Sequence, residues 1–354
     1  MAMACRVVSS NLVILSLCLL VLPCLSQGQG LCPFEAIYQF GDSISDTGNI
    51  GFINPMGPCS NLPYGKTQFG KGVGRCSDGL LMIDYITQAL QHPLLPPYLQ
   101  NSTETNHGVN FAVAGSTDLD TDFFKERNVT WKNSQNDRPI HDQLNWFREH
   151  LNNSVCKTLM PTECARKLSK ALFILGEIGF NDFNWPLKSG KTVTEMTAYI
   201  QPIVQKTTDA VRELIRQGAV RIVVPGLFPM GCFPLYLNHK GPNAVTLKDA
   251  SGCLGPFNQL AKDYNKALQD ALSLLGKENP NVFILYGDYY TAYESLLRNA
   301  PGLGFDDPLK SCAGNCTNPS KYLIFDHVHP TQEAAKHLAA YVIKETLSKI
   351  PCAQ

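Results

Sequence analysis

A serine stands directly behind the first apolar run of the chain, in Phe40-Gly41-Asp42-Ser43-Ile44-Ser45-Asp46. Close to the C-terminus comes Phe325-Asp326-His327-Val328-His329-Pro330-Thr331. A serine hydroxyl is a weak nucleophile until a base takes its proton, and a carboxylate that holds the base improves it. Asp326 and His329 are three residues apart. In a turn, that spacing lets the carboxylate grip one ring nitrogen while the other faces a serine. His327 competes as base, but its spacing from Asp326 points it elsewhere. Gly-Asp-Ser also fits a helix N-cap, a part that Ser45 and Asp46 suit better than Ser43.

Acyl transfer needs donors for the developing oxyanion as well. The stretch Asn110-Phe111-Ala112-Val113-Ala114-Gly115-Ser116 offers a glycine whose N–H a ligand can approach closely. Leu175-Gly176-Glu177-Ile178-Gly179-Phe180-Asn181-Asp182 offers a side-chain amide. Taken singly, Gly115 is explained by a tight turn and Asn181 by a helix cap. A serine, a glycine and an asparagine behind three different strands form a more specific set. Zinc is the competing chemistry, since Cys312, Cys316, His327 and His329 are suitable ligand types. His-x-His is tighter than the usual ligand spacing, and secreted cysteines prefer disulfides. The glycine-rich stretch 70–74 follows no strand and lacks a Gly-Lys-Ser/Thr ending, so it does not read as a phosphate loop. No metal and no organic cofactor is expected.

The elements that must position these residues alternate. Short apolar runs at 36–40, 109–114, 171–175, 221–225 and 282–286 read as buried parallel strands. Amphipathic stretches at 80–89, 141–150, 196–217, 257–275 and 333–348 read as helices, with Gly218 ending one of them and the stretch 276–280 another. Strand–helix alternation over this length predicts a three-layer α/β/α sandwich with right-handed crossovers. Such sheets bind ligands beyond the carboxyl ends of their strands. With no repeat or linker in view, residues 29–354 read as one domain.

Composition narrows the partners. The 354 residues carry 30 Lys plus Arg against 30 Asp plus Glu, so no net field draws the chain to nucleic acid. A small-molecule ester and a monomeric protein are expected. Arg6, the apolar run 11–22 and the small, polar stretch 24–30 read as a signal peptide covering about residues 1–28, cut between 26 and 30. The run is shorter than the roughly 20 residues of a spanning helix, so no membrane anchor is expected in the mature form. Three of the 13 cysteines leave with it (13 − 3 = 10), and an even set in an oxidising compartment favours disulfides. Cys156/Cys164, Cys312/Cys316, Cys232/Cys253 and Cys32/Cys352 are the pairings considered. Sequons at Asn101, Asn128, Asn152 and Asn315 add glycosylation candidates. The expected location is the secretory route, ending outside the cell (the apoplast) or in the vacuole.

Together, Phe-Gly-Asp-Ser-Ile-Ser-Asp-Thr-Gly-Asn at 40–49, Asn110–Ser116, Gly179-Phe180-Asn181-Asp182 and Asp326-His327-Val328-His329-Pro330-Thr331 resemble the blocks of the SGNH, or GDSL, esterase/lipase family in its plant secreted branch. Arg-Cys-Ser-Asp-Gly at 75–79 and Gly-Cys-Phe-Pro at 231–234 are similar to the acetylajmalan esterase and sinapine esterase group. The resemblance implies a flavodoxin-like parallel sheet, Ser43 as nucleophile, His329 as base and Asp326 as its carboxylate. It further implies an oxyanion hole from the Ser43 and Gly115 N–H groups and the Asn181 amide. Phe180 and Phe325 depart from the family pattern close to these blocks. The implied substrate is an acetyl or hydroxycinnamoyl ester of a specialised metabolite. An acyltransferase with the same triad, or an inactive binding protein on the same fold, are the alternatives.

Overall fold

The apolar runs pair as β1 (Ile37–Phe40), β2 (Gly108–Asn110), β3 (Leu172–Leu175), β4 (Arg221–Pro225) and β5 (Phe283–Gly287). The computed structural model describes residues 31–101, 104–130, 138–240, 246–314 and 316–352, so the expected signal segment and Asn315 lie outside the described residues. The strands form a parallel sheet in the order β2-β1-β3-β4-β5. β1 and β3 are buried along their whole length, which is why they read as unbroken apolar runs rather than alternating ones. β5 closes one edge and is partly exposed.

Among the helices of eight residues or more are α1 (Met82–Ala89), α2 (Ile140–His150), α3 (Phe180–Lys188), α4 (Ile200–Gln217), α5 (Gly255–Glu278), α6 (Tyr289–Asn299) and α7 (Gln332–Glu345). Handedness distributes them. The chain steps from β1 one way to β2, then back past β1 to β3 and onward to β4 and β5. Right-handed crossovers therefore put α1 on one face and α2, α4 and α5 on the other. The packing agrees, with α1 and α6 both on α7 and with α4 between α2 and α5. This is the expected three-layer sandwich. Its strand order reverses at β1/β3, so a crevice opens where the loops after those two strands diverge.

Several expectations need correction. The strand at 109–114 stops at Asn110. Beyond it the Asn49 amide takes the Asn110 and Ala112 carbonyls, and the Asp46 carboxylate takes the Ala114 N–H. Helix α4 starts at Ile200, because Thr192 caps a separate short helix, Val193–Met196, just upstream. The stretch 257–275 extends to Gly255–Glu278, running through Gly276. Gly218 does end α4, in the left-handed region at φ 110°. Helices α3 and α6 were not anticipated. Phe180 and Phe325 are buried, Phe180 against Phe233 and Tyr236 and Phe325 against Tyr64, so these departures from the family pattern fill the core.

Disulfides join Cys32–Cys352, Cys156–Cys164, Cys232–Cys253 and Cys312–Cys316, and a further one joins Cys59–Cys76. Cys312 and Cys316 are thus unavailable as thiolate ligands. Asn101, Asn128 and Asn152 are exposed. Among the described residues, no helix is long and apolar enough to cross a membrane.

Candidate active site

Ser43 leaves β1 through Gly41, whose φ of 145° suits only glycine. A side chain there would also run into the Glu177 carbonyl, 2.8 Å from an added Cβ. The buried Gln143 of α2 clamps this peptide from both sides. Its Oε1 accepts the Gly41 N–H at 2.9 Å and its Nε2 donates to the Gly41 carbonyl at 2.8 Å. Asp46 then gathers the N–H groups of Gly48, Asn49 and Ile50 at 2.7, 2.6 and 3.0 Å. It therefore takes the capping role, while the buried Ser45 hydroxyl has no partner among the described residues. Ser43 is left with its hydroxyl turned to the crevice.

The histidine loop is built to meet it. Asp326 Oδ1 accepts the backbone N–H groups of His327, Val328 and His329, and the His329 carbonyl accepts the Phe325 N–H at 2.7 Å. Thr331 then caps α7. The 75–80 stretch anchors the loop from outside. Ser77 donates to the Pro330 carbonyl at 3.0 Å, and Asp78 accepts the Gln332 N–H at 2.7 Å. In this frame His329 Nδ1 lies 2.6 Å from Asp326 Oδ2, and His329 Nε2 lies 2.8 Å from Ser43 Oγ. His327 is exposed, and its carbonyl accepts the Leu235 N–H. The structure thus joins Ser43, His329 and Asp326 across 286 residues of sequence and leaves His327 outside.

The three expected oxyanion donors border the same cleft of about 260 Å³. Among the described residues, neither the Ser43 nor the Gly115 N–H has an acceptor. Gly115 has φ 91°, so any side chain there would be strained. Asn181 is more committed. Its Nδ2 donates to Asp42 Oδ2 at 2.9 Å and to the Ser116 carbonyl at 3.0 Å, so both amide hydrogens are engaged. It makes no capping bond, because Gly179 occupies the N-cap of α3. The capping explanation of Asn181 is excluded.

Charges around the site are set by burial and by fixed donors. Burial would raise the Asp326 carboxyl, but the His329 charge, its hydrogen bond and the backbone N–H groups hold it below the usual carboxylate range. Burial pulls His329 down, yet Asp326 outweighs it and lifts the imidazole above its ordinary value. Asp42 adds to that lift and Lys188 opposes it. Asp42 itself is pushed up to about 7 by burial, against the pull of the Ile44 N–H and of His329.

The pattern of the GDSL-like lipase/acylhydrolase family matches residues 37–342, which is most of the chain and contains every element of this site. The chain belongs to the GDSL lipase/acylhydrolase family. It is 42% identical over 346 residues to acetylajmalan esterase of Rauvolfia serpentina, spanning 91% of this chain and 88% of that one. A GDSL esterase/lipase of Arabidopsis thaliana is 36% identical over 339 residues, spanning 88% and 90%. Among solved structures, phospholipase A1 of Streptomyces albidoflavus aligns over 87% of this chain and 97% of that one, with 13% identity and a TM-score of 0.33. The protein is therefore a GDSL esterase, an ester hydrolase by family.

One residue of the GDSL site has no signal in the sequence. The Tyr64 hydroxyl donates to Asp326 Oδ2 at 2.8 Å, on the oxygen that also meets His329. Its ring stands edge-on to Phe325 at 5.2 Å, in a loop closed by Cys59–Cys76. Tyr64→Phe keeps that packing and removes the donor. The expected outcome is a loss of about tenfold in kcat with KM nearly unchanged, together with a lowered melting temperature, since a hydrogen bond to a charged group contributes about 1.5–3 kcal/mol to stability. Steady-state kinetics with a kcat within twofold of the parent enzyme would rule out this positioning role.

Proposed function

We propose that this esterase cleaves small carboxylic esters in two acyl-transfer steps through Ser43. His329 takes the Ser43 proton as Oγ attacks the ester carbonyl, and Asp326 stabilises the imidazolium. The oxyanion is met by the Ser43 and Gly115 N–H groups, and by Asn181 if it releases one of its two bonds. His329 then protonates the departing alcohol, and water attacks the acyl-enzyme by the same route. The observation that carries this reading is the unbroken line from Asp326 Oδ2 through His329 to Ser43 Oγ, at 2.6 and 2.8 Å. No step needs a metal or an organic cofactor.

The substrate belongs to this proposal too. A cleft of about 260 Å³ and the relation to an acetylajmalan esterase support an acetyl ester of a plant specialised metabolite, with a hydroxycinnamoyl ester as the alternative acyl group. We place the mature protein in the secretory route as a glycoprotein, which the exposed Asn101, Asn128 and Asn152 and the disulfides support, and expect a monomer. A fluorophosphonate probe read by peptide mass spectrometry tests the reaction. Ser43 should carry the label while Ser45 stays unmodified. A label on another serine would sink the nucleophile assignment, and no label in folded protein would favour the binding-protein alternative. Products formed with an added acceptor alcohol would separate hydrolysis from acyl transfer.

A further inference from the structure

Two imidazoles meet at the end of the sheet away from Ser43, and the ester chemistry uses neither. His92 follows α1 and His107 precedes β2, and their Nδ1 atoms lie 3.2 Å apart. Each backbone is pinned. The His92 N–H donates to the Thr87 carbonyl at 2.8 Å where α1 ends, and the His107 carbonyl accepts the Ile37 N–H at 3.0 Å where β1 begins. His92 Nε2 lies 2.8 Å from the Phe34 carbonyl. A carbonyl only accepts, so Nε2 carries the hydrogen of the neutral ring and His92 Nδ1 keeps a lone pair. His107 Nδ1 then supplies the hydrogen between the two rings.

The pair also has the bite of a chelate. Two imidazole nitrogens held about 2.0–2.1 Å from one zinc ion at a tetrahedral angle are about 3.3–3.4 Å apart, close to the 3.2 Å found. The rings tilt off the N–N line, since their centroids are only 5.1 Å apart, less than two rings in line across that gap would give. The Phe34 carbonyl is the outer partner that metal-bound histidines generally have, and it fixes the His92 tautomer and ring orientation. His107 is exposed, so an ion can approach and water can complete its shell. Among the described residues, no group of three or more His, Cys, Asp or Glu is placed to hold a metal, so the protein's share here is these two rings. Every cysteine of the described residues is closed in a disulfide and does not compete.

We propose that His92 and His107 form a two-nitrogen site for a divalent transition-metal ion of the Zn2+, Cu2+ and Ni2+ class. The ion takes the place of the hydrogen between the two Nδ1 atoms, and His107 carries its hydrogen on Nε2 instead, by exchange with water. Imidazole suits these ions, whereas Mg2+ and Ca2+ prefer oxygen ligands. Bound there, the ion staples the end of α1 to the residue that leads into β2, at the amino ends of the strands. Ser43, Gly115 and Asn181 lie beyond the carboxyl ends, so the site bears on stability and not on the reaction.

Calorimetric titration of the disulfide-intact protein with Zn2+ is expected to show a binding event that is lost in His92→Gln and in His107→Gln. The melting temperature should rise by about 4 °C at about a hundredfold excess over the dissociation constant, and by much less in either variant. His141→Gln is the control and should keep the site, because His141 stands 2.7 Å from Asp120 and 3.1 Å from Asp142 and is the rival place for a cation. Electron paramagnetic resonance with Cu2+ should show two coordinated imidazole nitrogens in the parent and not in His107→Gln. Titrations and melts that coincide for the parent and both variants would overturn the site, as would binding abolished by His141→Gln alone.

Discussion

Replacing His329 with alanine is expected to lower kcat by about 10³-fold or more, the scale of removing a triad base, and Ser43→Ala should lose at least as much. Both variants should stay folded, because the two side chains meet at the crevice and hold no part of the apolar core. His327→Ala is the control. Its ring is exposed, so it should lose only a small factor. The pH profile supplies a second reading. The base must be neutral to accept the Ser43 proton, and Asp326 lifts the His329 pKa above its ordinary value. Activity in kcat/KM should therefore fall as pH drops through a midpoint above about 6.5. A midpoint well below that value, or full activity in His329→Ala, would remove His329 from the mechanism.

Asn181 carries the second large effect. Its amide already serves the Asp42 carboxylate and the Ser116 carbonyl, so it can reach an oxyanion only by sharing or giving up one of those bonds. Such an interaction strengthens as charge develops. Asn181→Ala is then expected to lower kcat by about 10²- to 10³-fold with little change in KM. Asn181→Asp should be at least as damaging, because it sets a carboxylate against both the oxyanion and Asp42. The competing explanation is that Asn181 only fastens Asp42 beneath Ser43. In that case thermal melts would show a loss of stability in Asn181→Ala while kcat stays within a few-fold of the parent enzyme. Melts and kinetics on both variants decide between the two.

The parts of this molecule that could be read from sequence are those whose signal is local. β1 and β3 are buried on both faces and so stood out as apolar runs, and the three-residue spacing of Asp326 and His329 described a turn. Helix α3 was missed because its sequence, Phe-Asn-Asp-Phe-Asn-Trp-Pro, is poor in helix formers and includes Pro186. It forms because its Phe180 and Phe183 reach the core and because Asp182 accepts the Asp118 and Leu119 N–H groups. Helix α6 opens with Tyr-Tyr-Thr-Ala-Tyr, a composition that favours strands, and is helical because Asp288 caps it and its tyrosines pack inward. The contact of Tyr64 with Asp326 spans 262 residues, and Lys188 enters the cleft only because α3 exists. Neither leaves a periodic trace. The expected strand at 109–114 keeps backbone bonds to β1 and Gly41 as far as Val113, but side chains of residues 46 and 49, distant in sequence, take the Ala112 carbonyl and the Ala114 N–H.

Cys32 and Cys352 lie at the two ends of the described chain, so their bond makes nearly the whole protein a covalent ring. The loop-entropy model assigns a closure of this length about 6 kcal/mol, above the range of about 0–5 kcal/mol that a single disulfide contributes. The mechanical consequence is more distinctive. Tension applied to the two tails is carried by the sulfur–sulfur bond and never reaches the parallel sheet. A protease that cuts one surface loop opens the ring without releasing a fragment, and the pieces bearing Ser43 and His329 stay tethered through their shared ends. An enzyme closed in this way can be nicked once and still keep both halves of its reaction centre on one molecule.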